Sequence, residues 1–246
     1  MAHINKMPRL TIVIPTINEA SRLPLLLADL NLFPYELELI VVDGGSLDST
    51  VQIAKLGGAK VIHNASANRG DQLKKGALAA KGEWLLFLHS DCRLRKNWPL
   101  KIYRKIVNQN YKEYAWFFNF KVQDKGLIWR LLEFSVFIRS HLFQKPYGDQ
   151  GLLISKDLYS KVGGYNSMQI MEDLDLIIRL GAITRLRGLG ISLTTSSRKI
   201  RKSNVIQNAI NNAILRYKWQ RGEDIKKLAK KYYSSNEFKN QSNPKL

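Results

Sequence analysis

Cysteine is almost missing from this chain, with Cys92 alone among 246 residues. One thiol closes no internal disulfide and cannot build a cysteine-based zinc site. Long hydrophobic runs are missing too. The densest apolar clusters, LTIVIP at Leu10–Pro15 and WLLFL at Trp84–Leu88, are strand-sized, well short of the ~18 residues a membrane-spanning helix needs. The opening MAHINKMPRL has no apolar core of a signal peptide, so the expectation is a soluble, cytoplasmic protein. Acidic residues are few, 20 against 39 basic ones, a net of +19. What is present is ordinary for a folded domain: 45% hydrophobic and 24% charged residues exclude a mostly disordered chain.

The positive charge is uneven. From Arg198 to Leu246 the chain carries 13 basic and 3 acidic residues. Such a surface implies anionic company: nucleic acid, anionic lipid headgroups or phosphorylated ligands. Composition does not choose among them.

Hydrophobic patterning divides the chain more sharply. Leu10–Pro15, Leu37–Asp43, Ala59–His63 and Glu83–Leu88 are β-branched or aromatic runs of strand length. Between them lie segments with helical spacing: Leu23–Leu30, where Pro24 is tolerable only in the first turn; the stretch after Ser46, with Leu47, Val51 and Ala54 on one face; and Arg69–Lys81, with Leu73, Gly76, Ala77 and Ala80. A further helix is expected near Asn97–Val107. Strand–helix alternation with short connections predicts an α/β fold, a mostly parallel sheet covered by helices on both faces. In such sheets ligands bind at the carboxyl ends of the strands.

The later part is mixed. Tyr114–Val122 and Gly151–Ser155 read as strands, and a helix opens at Glu172–Asp173. Leu127–Phe143 is an apolar helix whose charges at Arg130, Glu133 and Arg139 make no clean polar face, so packing in the core or on the acceptor side is expected in preference to an interfacial position on a membrane. Two amphipathic helices, Ser203–Arg221 and Glu223–Tyr233, close the fold before a polar tail from Ser234. No repeat or linker splits the chain.

Polar residues gather where the strands end. The first is followed by Pro15, Thr16, Asn18 and Glu19, the second by Asp43, Gly44, Gly45 and Ser46, the fourth by His89, Ser90 and Asp91. Acidic clusters at one sheet edge would converge on a single crevice. A carboxylate such as Asp43 accepts hydrogen bonds from a base N–H or sugar hydroxyls, and one such as Asp91 is the hard oxygen ligand that Mg²⁺ or Mn²⁺ prefers. Any one of these residues taken alone is an ordinary turn or strand-end cap.

Taken together, IVIPTINE, VVDGGSLDST and NRGDQLKKGALAAKGEWLLFLHSD resemble, in order and spacing, the nucleotide-binding half of family 2 glycosyltransferases with the GT-A fold. The resemblance implies that Pro15, Thr16, Asn18, Glu19 and Asp43 hold base and ribose, that Arg69 and Ser90 approach the nucleotide, and that Asp91 stands for the last Asp of the family's DxD and carries a divalent metal, Mn²⁺ or Mg²⁺. His89 occupies the first DxD position, where an imidazole ligates Mn²⁺ better than Mg²⁺ or stands behind the metal ligands.

The resemblance continues through GDQG at Gly148–Gly151, GGYN at Gly163–Asn166 and MEDLDLIIRL at Met171–Leu180. It implies Asp173 as catalytic base with Glu172 beside it, and an acceptor pocket lined by Gly148, Asp149 and Gln150. The chemistry agrees: a sugar hydroxyl is a weak nucleophile, and a carboxylate within hydrogen-bond reach takes its proton as attack proceeds. TSSRKIRK, at 195–202, looks like the family's basic segment, with Arg198 for the diphosphate. The whole pattern is most similar to the arsenosugar-type, or radical-SAM/selenodomain-associated, bacterial subgroup.

These readings imply one domain over 1–246: a nucleotide-sugar half (8–110), an acceptor and catalytic half (111–202), C-terminal helices (203–233) and a flexible tail (234–246). The expected activity is inverting transfer of a hexose from a nucleotide-diphosphate sugar to a small-molecule or lipid hydroxyl. Two other classes compete. A nucleic-acid binder would explain the charge, but no recognised nucleic-acid module accompanies it. A peripheral protein holding an anionic membrane surface through its C-terminal helices is compatible with transfer to a lipid.

Overall fold

The computed structural model describes residues 10–196 and 205–241. Four parallel strands build its first half: β1 (Leu10–Thr16), β2 (Leu37–Asp43), β3 (Lys60–His63) and β4 (Trp84–Phe87), joined by α1 (Leu23–Leu30), α2 (Thr50–Leu56) and α3 (Arg69–Ala79). β1 lies between β2 and β4, so the chain runs outward to β3 and returns to the other side of β1. Both faces of these strands are covered. Ile12, Ile14 and Val41 enter one core with α1, whereas Val13, Ile40, Val42 and Leu85 enter the other beneath α3. Continuous apolar strands are what two-sided burial requires.

α3 lies unusually close to the sheet. A Cβ on Gly76 would come within 2.3 Å of Val13 Cγ1 and 3.1 Å of Val42 Cγ2. Glycine at this turn lets the helix backbone rest on β1 and β2, which fixes the height of the helix start at the strand ends.

The second half comprises β5 (Cys92–Leu94), α4 (Trp98–Ile106), β6 (Ala115–Val122), α5 (Leu127–His141), β7 (Leu152–Ser155), α6 (Lys156–Lys161), α7 (Glu172–Gly181), β8 (Leu186–Thr195), α8 (Val205–Gln220) and α9 (Ile225–Gln241). The eight-stranded sheet has the order β3-β2-β1-β4-β7-β6-β8-β5. β7 runs antiparallel to both β4 and β6, and β5 antiparallel to β8, while β6 and β8 are parallel. The parallel ladder expected from the first half thus gives way to a mixed sheet at β7. The short β5 and α6 were not legible as separate elements.

Two other expectations change. α5 buries only Trp129, Val136 and Ser140 and exposes much of its apolar surface, so it is not a core helix. The polar residues from Ser234, expected as a flexible tail, continue α9 to Gln241. The C-terminal helices carry a small core of their own: Leu215, Leu228 and Ala229 close over Ile170, with Met171 packed alongside. Among the described residues, no helix is long and apolar enough to cross a membrane.

Candidate active site

The carboxyl ends of β1 and β2 form one cradle. Asp43 is buried at the end of β2. Its Oδ2 accepts from the backbone N–H of Gly45 (3.0 Å) and Ser46 (2.9 Å), and its Oδ1 accepts from the hydroxyls of Thr16 (3.2 Å) and Ser46 (2.5 Å). Burial opposes ionisation, but these bonds from Ser46, Gly45 and Thr16 outweigh it and hold the carboxyl below its ordinary range. Asn18 adopts φ 52°, in the left-handed region. Its Oδ1 accepts from Leu47 N–H (2.8 Å), and its own N–H donates to Ser46 Oγ (2.9 Å). Glu19 N–H donates to Thr50 Oγ1 (2.8 Å), and the Glu19 side chain pairs with Arg22. Pro15 and Thr16 are buried, and Asn18 is exposed. The donor-side residues named from the sequence at these two strand ends therefore form one loop pair, braced internally.

Gln72 completes that pair. Its Nε2 donates to the carbonyls of Thr16 (2.9 Å) and Val42 (2.8 Å), pinning both strand ends beneath the first turn of α3. The sequence held a signal that went unused: a glutamine beside Leu73, Gly76 and Ala77, on the face of α3 that packs inward.

One helical turn before Gln72, at the start of α3, Arg69 leaves the sheet edge and reaches α7. Its Nε donates to Glu172 Oε1, and its Nη2 lies 3.9 Å from Asp173 Oδ2. Residues three apart on a helix share a face, so Arg69 and Gln72 link the donor cradle to the acid pair. Gly70 permits the approach, since a Cβ there would lie 2.4 Å from the Asn166 carbonyl oxygen.

Glu172 and Asp173 open α7 after Met171, which holds φ 65°. Glu172 is fully buried, and its Oε2 has no hydrogen-bond partner. Burial raises its carboxyl above the ordinary range, Asp173 adds to the rise, and Arg69 opposes it. Asp173 differs. Its Oδ2 accepts from Gly148 N–H at 2.6 Å and its Oδ1 from Leu174 N–H at 2.8 Å. Burial acts against its ionisation, but Arg69, the Gly148 N–H and His89 together hold its carboxyl low. Two adjacent acids are thus pushed apart, and Asp173 is the one held ionised. Arg69 is held as a cation: burial disfavours its charge, and Glu172 and Asp173 more than restore it.

Gly148, Asp149 and Gln150 form a single 3₁₀ turn before β7. A Cβ on Gly148 would stand 2.9 Å from Asp173 Oδ2 and 3.0 Å from His89 Nε2. His89, Gly148, Glu172 and Asp173 line one cavity with Phe87 and Tyr165. Its volume of about 10 Å³ is room for about one water, too small for a sugar ring. Asp149 Oδ1 is buried without a hydrogen-bond partner, and burial raises its carboxyl although Arg139 opposes the rise. Gln150, named from the sequence as an acceptor contact, has its side chain fully engaged within the protein. Its Oε1 accepts from Ser140 Oγ (2.7 Å) and Arg139 Nη2 (3.1 Å), and its Nε2 donates to the Phe118 carbonyl (3.0 Å). It ties α5 and β6 to the turn.

Ser90 is buried and Asp91 half-buried just beyond β4. Among the described residues, no group of three or more His, Cys, Asp and Glu is placed to hold a metal ion. The donor set still suits a metal shared with substrate, because Mg²⁺ is commonly held by one or two carboxylates plus phosphate oxygens. Arg198 lies outside the described residues.

Comparison with known proteins bears on the family and the fold. The family model described as "Glycosyl transferase family 2" matches residues 11–170. A "PGL/p-HBAD biosynthesis glycosyltransferase" of Mycobacterium bovis is 27% identical over 181 residues, covering 70% of this chain and 69% of the relative. A "4,4'-diaponeurosporenoate glycosyltransferase" of Staphylococcus haemolyticus is 32% identical over 111 residues, covering 42% of this chain and 30% of the relative. Among solved structures, S. aureus TarS 1–349 superposes with a TM-score of 0.63 at 18% identity, covering 79% of this chain and 62% of that one. The mannosyltransferase PcManGT from Pyrobaculum calidifontis, in complex with GDP-Man and Mn²⁺, gives 0.58 at 14% identity, covering 78% of this chain and 57% of that one. The chain belongs to glycosyl transferase family 2 and is a glycosyltransferase with the GT-A fold.

Proposed function

We propose that the chain transfers a sugar from a nucleotide-diphosphate sugar to a hydroxyl acceptor, with inversion at the anomeric carbon. The nucleotide lies along the cradle of Pro15, Thr16, Asn18, Glu19 and Asp43, which hydrogen bonds between the two loops hold in shape. The observation that carries this reading is the double grip of α3. Gln72 holds the donor edge and Arg69 holds the acid pair, one helical turn apart. Related solved structures support the donor class, since TarS 1–349 is known in complex with UDP-GlcNAc.

In the transfer step the acceptor oxygen forms a bond to the anomeric carbon as the bond from that carbon to the diphosphate oxygen breaks. The acceptor proton passes to Asp173. The Gly148 N–H orients that carboxylate, and Arg69 and His89 keep it ionised. Glu172 holds Arg69 in place and, being fully buried, does not itself meet the acceptor. Asp91 would hold the divalent metal, Mn²⁺ or Mg²⁺, together with the donor diphosphate, and the ion would neutralise charge on the leaving group. His89 serves the acid pair in this reading, because its ring sits against Gly148 and Asp173. Arg198 remains the candidate for a diphosphate contact. The acceptor is a small molecule or a lipid hydroxyl, and the motif pattern resembles the arsenosugar-type subgroup.

A thermal-shift screen tests the donor class, because a ligand that binds only the native state raises the melting temperature. A UDP- or GDP-linked sugar, with Mn²⁺ or Mg²⁺ present, should raise it for the native chain and much less for Asp43→Asn. No shift with any nucleotide, together with steeply salt-dependent binding of RNA or DNA, would remove the reading.

A further inference from the structure

The solvent side of α5 is apolar where a surface helix ordinarily carries charge. Trp129, Val136 and Ser140 turn inward. On the opposite side Leu127, Leu131 and Phe134 follow at helical spacing, 76%, 56% and 61% exposed, and Leu142 and Phe143 just past the helix end are 72% and 66% exposed. Exposed apolar side chains gathered on one side of a helix mark a binding face. α8 repeats the pattern with exposed Ile210, Ile214 and Tyr217 at four- and three-residue spacing. The two helices approach each other at Tyr147, whose ring carries the Arg139 guanidinium at 3.8 Å and that of Arg216 at 5.1 Å.

We propose that α5 docks this apolar face into the surface of an anionic lipid bilayer. Charge selects the occupant. Lys125 and Lys145 are exposed at the two ends of α5, and the chain as a whole carries +19. Lysines flanking an apolar stripe can lay their stems on hydrocarbon and keep their ammonium groups at the phosphates. A second copy of the chain brings the same +19 and is repelled. The cleft beside α5, about 290 Å³ and lined by Phe134, Phe137, Asn119 and Gln150, opens along the same helix. An acceptor carried in lipid would meet it from that side. Docking itself does not rest on the transferase reading, and its test contains no donor.

The test is co-sedimentation of the full chain with vesicles of phosphatidylcholine alone and of phosphatidylcholine mixed with phosphatidylglycerol. The native chain should pellet with the mixed vesicles only. Leu131→Ser combined with Phe134→Ser should cut the partition at least about tenfold, as expected for removing two apolar anchors, with an unchanged melting temperature. Should that variant fail to fold, Leu127→Gln with Leu142→Gln, at the two most exposed positions, takes its place. Three results overturn the proposal: a native chain that stays in solution with both vesicles, apolar-face variants that pellet as well as the native chain, or a native dimer that the variants split.

Discussion

At the scale of single residues, the site is a set of carboxylates placed in different electrostatic states. Asp43 is held low by four donors, and that stabilisation has a pH signature. Its folded-state pKa lies below the unfolded value, so its contribution is complete above the unfolded pKa and is lost as pH falls through the folded one. Asp43→Asn turns an amide toward hydroxyl and N–H donors and should cost about 1–3 kcal/mol at neutral pH. Denaturant melts in acid should show the gap to the native chain closing below about pH 4. Arg69 and Glu172 make the complementary case. Arg69→Met leaves a fully buried carboxylate without its cation and should destabilise by about 3 kcal/mol, the low end of the range because the Arg69 side chain is 40% exposed. Adding Glu172→Gln should restore part of that loss, as a double-mutant cycle would measure.

Among elements, α3 organises the site. Gly76 sets its height over β1 and β2, and Gly76→Ala should lower stability by about 1–3 kcal/mol through overpacking, read as a shift in urea midpoint. The strands, α3 and the acid pair were legible in the sequence because each carries a local pattern: a β-branched run, helical spacing, or acids at a helix start. Asp43 and Asp173 were singled out through the resemblance of their motifs to the family, and the structure adds the donors that each carboxylate accepts from. Gln72 was passed over although it sits on the inward face of α3, because its partners are backbone carbonyls of two distant strands, which no local pattern names. Gln150 was read as an acceptor contact. Its position next to Asp149 is a matter of sequence, but its engagement by Ser140 and Arg139 depends on how α5 packs. The exposure of α5 was not legible, because an apolar helix gives no local sign of how much of it the rest of the chain covers.

For the whole molecule, the C-terminal helices are more than a basic appendage. Leu215, Leu228 and Ala229 pack on Ile170, and Tyr233 donates to the Gln169 carbonyl at 3.0 Å, directly before the strained turn at Met171 that aims the acid pair. Removing residues 205–246 should therefore depress turnover through loss of that support, with a smaller effect on nucleotide binding at the β1 and β2 edge. Isothermal titration beside a turnover assay distinguishes the two. The charge excess of these helices was plain from composition, whereas their buttressing of the site depends on where a long chain returns to pack, and periodicity alone does not say that.

A paired measurement on one variant bears most directly on the division of labour among these carboxylates: donor dissociation constant and turnover rate for Asp173→Asn against the native chain. The base role leads to a turnover loss of about 10²-fold or more with donor affinity nearly unchanged. Near-native turnover, or a donor affinity that falls in step with the rate, would contradict it.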